Sequence, residues 1–444
     1  MEGIEPGFYS ALKEYAESGS VQLHMPGHKG GRGFKTPELA AIGSIDFTEI
    51  PGLDDWHRPD GVLLKAQQKL ADIYGAASSY FLVNGATSGV HALLLALGDK
   101  ARVLLPRQAH RSFFGGMVLA GTIPVYLPTR LDNRWGLPLA SDPDDVEDLL
   151  QGQEITALFG SSPSYFGICG QEKEMIDLVH RRGIPALVDQ AHGAHFGFHP
   201  AYPPGALQQG ADAVVHGLHK TLPALTGAAC VHLSGKMMSR HTRVVQALNL
   251  LITTSPSQPL LASAEWASSW VRSSAGWAGL DAMYTQSQQF DQQLEKVTGL
   301  ERIKGDEHRH HYDPGRVSIG IEKLNLTGYG LQELLFKEYG IQLEMAGPNY
   351  IVALFTPFNT AREWETFSFA LSVIADHYRG NHRAPVQLVL PPEAPLILAP
   401  RQAYFSRQRQ VRISEAAGLI SAEMVAAYPP GVPCLLPGEA ITRE

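Results

Sequence analysis

Two rhythms of apolar and polar residues share the first 230 positions. Short runs that are apolar almost throughout, at 79–83, 102–105, 123–127, 155–159, 184–188 and 211–215, read as buried strands. Between them apolar residues recur at helical spacing. Residues 61–74 show it best, with Val62, Leu63, Ala66, Leu70 and Ile73 on one face and Gly75 to end the helix; 90–97, 112–120 and 173–181 follow suit. Strands alternating with helices predict an α/β fold with a mostly parallel sheet covered on both sides. Ligands of such sheets collect beyond the carboxyl ends of the strands. Ser88, His110, Asp189 and Lys220 each stand just after one of the runs, so the topology can bring them to one edge.

Past residue 229 the alternation fades. A helix is expected over 244–252, TTSPSQP breaks it, and a long helical region covers 260–297. From 299 onward short strands and helices mix (316–321, 331–338, 341–344, 350–355, 364–377), which predicts a smaller α+β domain. The Gly- and Pro-punctuated first stretch, 1–58, reads as an N-terminal arm docked on another subunit. The large domain then spans 59–298. Residues 299–444 form the small domain, with a Pro/Gly-rich tail from 426 packed across a surface.

Composition narrows the function. A net charge of −8 and a pI of about 6.1 speak against a nucleic-acid partner. Three cysteines, odd in number and far apart, give no disulfide framework and fit a reducing compartment. The acidic start MEGIEPGFYS has no apolar signal region, and runs such as 92–97 are too short to cross a bilayer. The expectation is a soluble, cytoplasmic protein without a membrane partner.

The chemistry centres on VVHGLHKTLPALTGA, residues 214–228. Lys220 emerges at the end of a buried strand between histidine and glycine, where desolvation turns an ammonium into a nucleophilic amine. A lysine for an aldehyde, an anion site, a carboxylate and a flat group are what pyridoxal 5′-phosphate requires. NGATSG, between strand and helix, offers Thr87 and Ser88 to a phosphate. Asp189 can keep a ring nitrogen protonated, Ala191 is small enough to lie under the ring, and His110 can stack over it. His219 can contact phosphate or shuttle a proton. Each also has an ordinary explanation, as a helix cap or a core imidazole; together, in this order, they describe one cofactor site.

DQAHGAHFGFHP, VVHGLHKTLPALTGAA, HMPGHKGG, DFTEI…GLDDWHRPDG and YPPGVPCLLPGE together resemble the bacterial ornithine/lysine/arginine decarboxylases of the aspartate-aminotransferase fold. The likeness covers nearly the whole chain and is nearest to the short members without an N-terminal wing domain. It implies PLP fold type I, with a Schiff base at Lys220 and phosphate contacts from Thr87, Ser88 and His219. It also implies a ring contact from His110, a salt bridge from Asp189 to the ring nitrogen, and His192 beside the cofactor. Homodimers or higher homo-oligomers are implied as well, with Thr254 and Ser255 approaching the partner's cofactor. Glu344 is implied near the substrate's distal cation, and Glu439 is a second candidate for that role. The chain departs from the pattern at Gly217, where serine is usual, at Gly227, where glutamine is, and at Gln258, where an aromatic is.

The expected reaction is α-decarboxylation of a basic L-amino acid, arginine first and then lysine or ornithine, catalysed by Lys220, His219, His110 and Asp189, with no metal. Another fold-type-I reaction such as transamination is the alternative; it needs an arginine for the α-carboxylate, and Arg316, Arg362 and Arg379 are available. A metal hydrolase built on His192, His195 and His199, with His216 and His219 nearby, is disfavoured because Gly193 and Gly197 oppose the helix it would need. A catalytically inert homologue is disfavoured by the retained Lys220 and Asp189.

Overall fold

The computed structural model describes residues 7–305, 311–380, 386–390, 392–426 and 432–443. Thirteen of its strands carry the argument: β1 (Ser78–Leu82), β2 (Arg102–Pro106), β3 (Ile123–Leu127), β4 (Ala157–Ser161), β5 (Ile168–Cys169), β6 (Ala186–Asp189), β7 (Ala213–His216), β8 (Ala229–Leu233), β9 (Leu300–Arg302), β10 (His311–Tyr312), β11 (Arg316–Ile321), β12 (Met345–Ala346) and β13 (Tyr350–Leu354). Seven of these form one sheet in the order β1-β8-β7-β6-β4-β2-β3. Neighbours from β7 to β3 run parallel, and β8 alone is antiparallel to both β7 and β1. β6, β7 and β8 are buried at every position, which is why β6 and β7 read as apolar runs up to their last residues.

The expected helices appear with small shifts. α1 (Gly7–Glu17), α2 (Pro37–Gly43), α3 (Val62–Tyr74), α4 (Gly85–Leu97) and α5 (Ser112–Ala120) precede β3. α3 ends on Gly75 in the left-handed region, φ 72°, which glycine adopts without strain. α4 starts five residues earlier than the apolar run suggests, so most of NGATSG is its first turn. The long helical region is two helices, Gln258–Arg272 and Ser274–Leu294, separated by the cap Ser273.

The second sheet, β12-β13-β11-β9, is antiparallel. The strand expected at 341–344 falls instead on Met345–Ala346. Two contacts tie this sheet to the first body: β10 pairs with β5, and Trp135, Phe166 and Ile168 share a buried cluster with Tyr350 and Val352.

The first stretch, expected as an arm docked on another subunit, opens with a helix seated on its own chain. α1 buries Phe8 and Leu12 completely in the chain's own core, and the Glu265 carboxylate accepts hydrogen bonds from the Phe8 and Tyr9 N–H groups, both at 3.1 Å. Those are orphan donors of the helix start, so Glu265 supplies the missing cap. Val21, Leu23 and Met25 follow and are exposed. In the tail, YPPG at 428–431 lies outside the described residues; Val432 and Leu436 are buried anchors.

Candidate active site

Lys220 closes a short 3₁₀ turn, Leu218–Lys220, that leaves the end of β7. Its side chain is half-buried and its pKa is lowered by burial, which Asp189's negative charge partly offsets. Asp189 is the last residue of β6, in register with Val215 of β7. Its carboxylate is buried and accepts the Ala191 N–H at 3.1 Å. Burial raises its pKa, while the charges of Lys220 and His110 pull it down. Amine, carboxylate and imidazole, spread over 110 positions, lie near enough to shift one another's ionisation.

His192 links this group to the second sheet. Arg316, the first residue of β11, donates from Nη2 to His192 Nδ1 at 2.6 Å. A guanidinium only donates, so Nδ1 accepts and a neutral ring carries its proton on Nε2, which stands 2.9 Å from Lys220 Nζ. Burial holds His192 well below the usual imidazole range, and Arg316 lowers it further. Tyr165 meets the His192 ring edge-on at 5.4 Å, lies under Arg316 at 5.5 Å and donates its hydroxyl proton to Glu344. Glu344 is exposed at the rim, near enough to raise the pKa of both Lys220 and Arg316.

The remaining residues differ in how far one chain engages them. His110 accepts at Nδ1 from the Ser112 N–H (3.2 Å) and faces the Ser112 hydroxyl at 2.9 Å, which fixes its ring. His219 points Nδ1 at the Ala228 carbonyl, 2.9 Å, so that nitrogen carries a proton and Nε2 is the one left for a ligand. Thr87 is exposed in the first turn of α4, whereas Ser88 is buried and donates to the Gly85 carbonyl at 2.9 Å. Asn84, which precedes α4, makes no side-chain cap; the Gly85 N–H donates to the Gly227 carbonyl at 2.9 Å, which leaves the N–H groups of Ala86 and Thr87 to an anion. Thr254 and Ser255 lie in the exposed turn before Gln258 and are not drawn toward Lys220 by any hydrogen bond the chain makes.

These residues fit pyridoxal phosphate. A desolvated amine, a buried carboxylate, the flat His110 ring with a small Ala191, and a helix start without a side-chain cap meet its requirements. The glycine at 217 fits the same crowding: a Cβ there would lie 3.0 Å from the Ala191 carbonyl oxygen and 3.2 Å from Lys220 Cδ. Gly227 has φ 97°, a conformation that glutamine would adopt only with strain.

Other candidates are placed elsewhere. Glu439 is buried against Arg107 at the end of β2, which donates to it at 2.5 and 2.9 Å, and it also accepts the Leu436 N–H at 2.9 Å. It fastens the tail rather than meeting a substrate cation, because both oxygens are spent. Of the three arginines considered for an α-carboxylate, Arg316 alone reaches the site; Arg362 is exposed and Arg379 pairs with Asp376 on the surface. His195 turns to Asp313 and His199 to Asp281, so the histidine triad of the hydrolase reading does not form. Arg107 and Tyr165 were not singled out from the sequence. Tyr165 follows β4 in SPSYFG, and the post-strand rule that flagged Asp189 would have found it.

Two family models match the chain: the major domain of the Orn/Lys/Arg decarboxylases over residues 6–307 and their C-terminal domain over 388–444. The arginine decarboxylase of Bacillus subtilis is 31% identical, the match covering 100% of this chain and 93% of that protein. That of Halalkalibacterium halodurans is 32% identical over 98% of this chain and 91% of that one. Among solved structures, the constitutive lysine decarboxylase of E. coli superimposes with a TM-score of 0.83 at 20% identity, over 99% of this chain and 76% of that one. A structure described as SPT with PLP aligns at 0.59, with 17% identity over 84% of each chain. The fold is that of the aspartate aminotransferases, PLP fold type I. The chain belongs to the Orn/Lys/Arg decarboxylase family, and it is a pyridoxal-phosphate-dependent carboxy-lyase of a basic amino acid.

Proposed function

We propose that this chain decarboxylates L-arginine in preference to lysine or ornithine, using Lys220 as the cofactor lysine. The observation that carries the reading is the Lys220 amine at the end of β7, 2.9 Å from His192 Nε2 and near enough to the buried Asp189 carboxylate for each to shift the other's ionisation. Two arginine decarboxylases resemble the chain over nearly their whole length, which supports arginine as the substrate. When bound, pyridoxal phosphate supplies the electron sink that takes up the pair left behind by departing CO2. Asp189 holds the ring-nitrogen proton, His110 and Ala191 confine the ring, and the α4 start with Thr87, Ser88 and His219 holds the phosphate. His192, with its proton on Nε2 facing Lys220, is placed to pass one proton to the substrate's α-carbon through that amine. Glu344 takes the distal cation, for which it must leave Tyr165.

A homodimer in the cytoplasm completes the proposal. Thr254 and Ser255 are exposed where a partner's cofactor can be reached, and Val21, Leu23 and Met25 offer apolar surface to a second subunit. Cys169 and Cys230 are free buried thiols, in keeping with a reducing compartment.

Transamination keeps one specific observation in its favour: Arg316 is buried at the site with Nε and Nη1 unpaired, a ready clamp for an α-carboxylate. A panel of amino acids with products identified by mass separates the two. Release of CO2 and the amine of arginine is expected; a keto acid instead would overturn decarboxylation. Glu344→Gln should raise the KM for arginine about tenfold or more, since a charge-assisted contact is worth roughly 1.5–3 kcal/mol. An unchanged KM would remove Glu344 from the substrate site.

A further inference from the structure

On the buried face of the first sheet lies a cluster that the decarboxylation chemistry leaves unused. His216 ends β7 opposite Cys230 of β8, and His232 stands two residues further along β8, so all three side chains leave the same face. They are 3%, 0% and 0% exposed. His216 Nδ1 and His232 Nε2 are 3.1 Å apart, Cys230 Sγ is 3.1 Å from His232 Nε2, and the three donor atoms lie within 4.8 Å of one another. His216 turns to this cluster and not to Lys220. Of the histidines weighed and disfavoured as a metal-hydrolase set, His216 belongs to it, while His192, His195 and His199 do not.

We propose that His216, Cys230 and His232 bind a divalent metal ion of the zinc class. One thiolate and two imidazoles are a zinc-type donor set, and three such ligands around one ion stand roughly 3.3–3.7 Å from each other, given bond lengths of about 2.0–2.3 Å. The two spacings to His232 Nε2 need to open by a few tenths of an ångström. The outer atoms are already arranged as metal-bound imidazoles require. His216 Nε2 faces Gln190 Oε1 at 3.1 Å, and His232 Nδ1 faces the Ser79 hydroxyl at 2.7 Å, so each ring has an outer partner that fixes the nitrogen left for the ion. Gln190, His216 and Tyr74 also line a cavity of about 230 Å³. Gln190 is 1% exposed and its amide nitrogen has no hydrogen-bond partner. Of the three ligands His216 lines this cavity, which gives the ion an entry path and room for a water as fourth ligand. On binding, the Cys230 S–H bond gives way to a sulfur–metal bond and its proton leaves to solvent. The imidazoles lend lone pairs, and nothing is oxidised or reduced. The ion would staple β1, β8 and β7 together below the Lys220 turn.

The test uses the full-length, cofactor-loaded protein, freed of metal by a chelator and titrated with cobalt(II). One equivalent should bring up a thiolate-to-cobalt charge-transfer band, which zinc then displaces. Cys230→Ser should lose the band, and Cys169→Ser and Cys434→Ser should retain it. Zinc should also raise the thermal midpoint of the unaltered protein and release a proton per ion, measured in buffers of different ionisation enthalpy. These two readouts stand even if Cys230→Ser does not fold. Absence of the band at one equivalent, its survival in Cys230→Ser, or an unmoved midpoint would overturn the proposal and leave the cluster a hydrogen-bonded core network.

Discussion

Removing the Glu439 carboxylate tests the tail most directly. In Glu439→Ala the Arg107 guanidinium stays buried, with its side chain 5% exposed, but loses its two carboxylate contacts at 2.5 and 2.9 Å. The Leu436 N–H loses its acceptor as well. Breaking a buried pair from one side costs about 3–5 kcal/mol, because an uncompensated charge remains. Two contacts survive to soften the loss: Arg107 Nη2 still donates to the Cys434 carbonyl at 3.3 Å, and its guanidinium lies 5.5 Å from the Tyr126 ring. The expected cost is therefore near the lower bound, about 3 kcal/mol. Urea unfolding followed by tryptophan fluorescence reads it as a lowered midpoint. Replacing both partners, Arg107→Met with Glu439→Leu, removes the charge together with its partner and should recover most of the loss, to within about 1 kcal/mol of the parent. The reasoning fails if the single change costs less than about 1 kcal/mol, or if the double change is as damaging as the single one. A functional echo is expected too, since Arg107 sits three residues before His110 and loses the carboxylate that fixes it at the strand end.

Further expectations concern the site. Because burial depresses Lys220, cofactor uptake by the apoprotein should rise with pH and level off below the 10.5 of a free lysine. Asp189→Asn removes the charge that raises the lysine and should shift that curve to lower pH; absorbance of the bound cofactor follows it, and an unshifted curve would separate the two groups. Arg316→Met frees His192 Nδ1 and should lower kcat at least tenfold while altering the pH profile of cofactor uptake; an unchanged profile would deny Arg316 a positioning role. Gly227→Gln forces a side chain into φ 97° and should cost about 1–3 kcal/mol by urea unfolding, whereas a neutral effect would show that the turn relaxes.

The parallel part of the sheet was legible because β2, β3, β6 and β7 are buried on both faces and so lack polar interruptions. β8 was not, since Cys230 and His232 break its apolar run and it pairs antiparallel where the alternation promised another crossover. α1 escaped notice because Phe8 and Leu12, four residues apart, are its only buried apolar anchors and glycine and proline surround it. The positions of His110, Asp189 and Lys220 after predicted strands were readable, and these three lie near enough to shift one another's ionisation. Long-range partnership was beyond reach: Arg107 and Glu439 are 332 positions apart, and a lone glutamate in a tail reads as readily for a ligand as for a buried cation. The Arg316–His192 contact, across 124 positions, was hidden in the same way.

The antiparallel return of β8 turns the lysine-bearing connection into a measured span. Twelve residues, 217–228, join two strands whose pairing is set residue for residue, Ala213 with Leu233 through His216 with Cys230. Because β8 is buried throughout, its register is held by packing, and a change of one in that span would fall on the turn that presents Lys220. Evolution can thus rewrite the letters around Lys220, as the glycines at 217 and 227 suggest, far more easily than it can change their number.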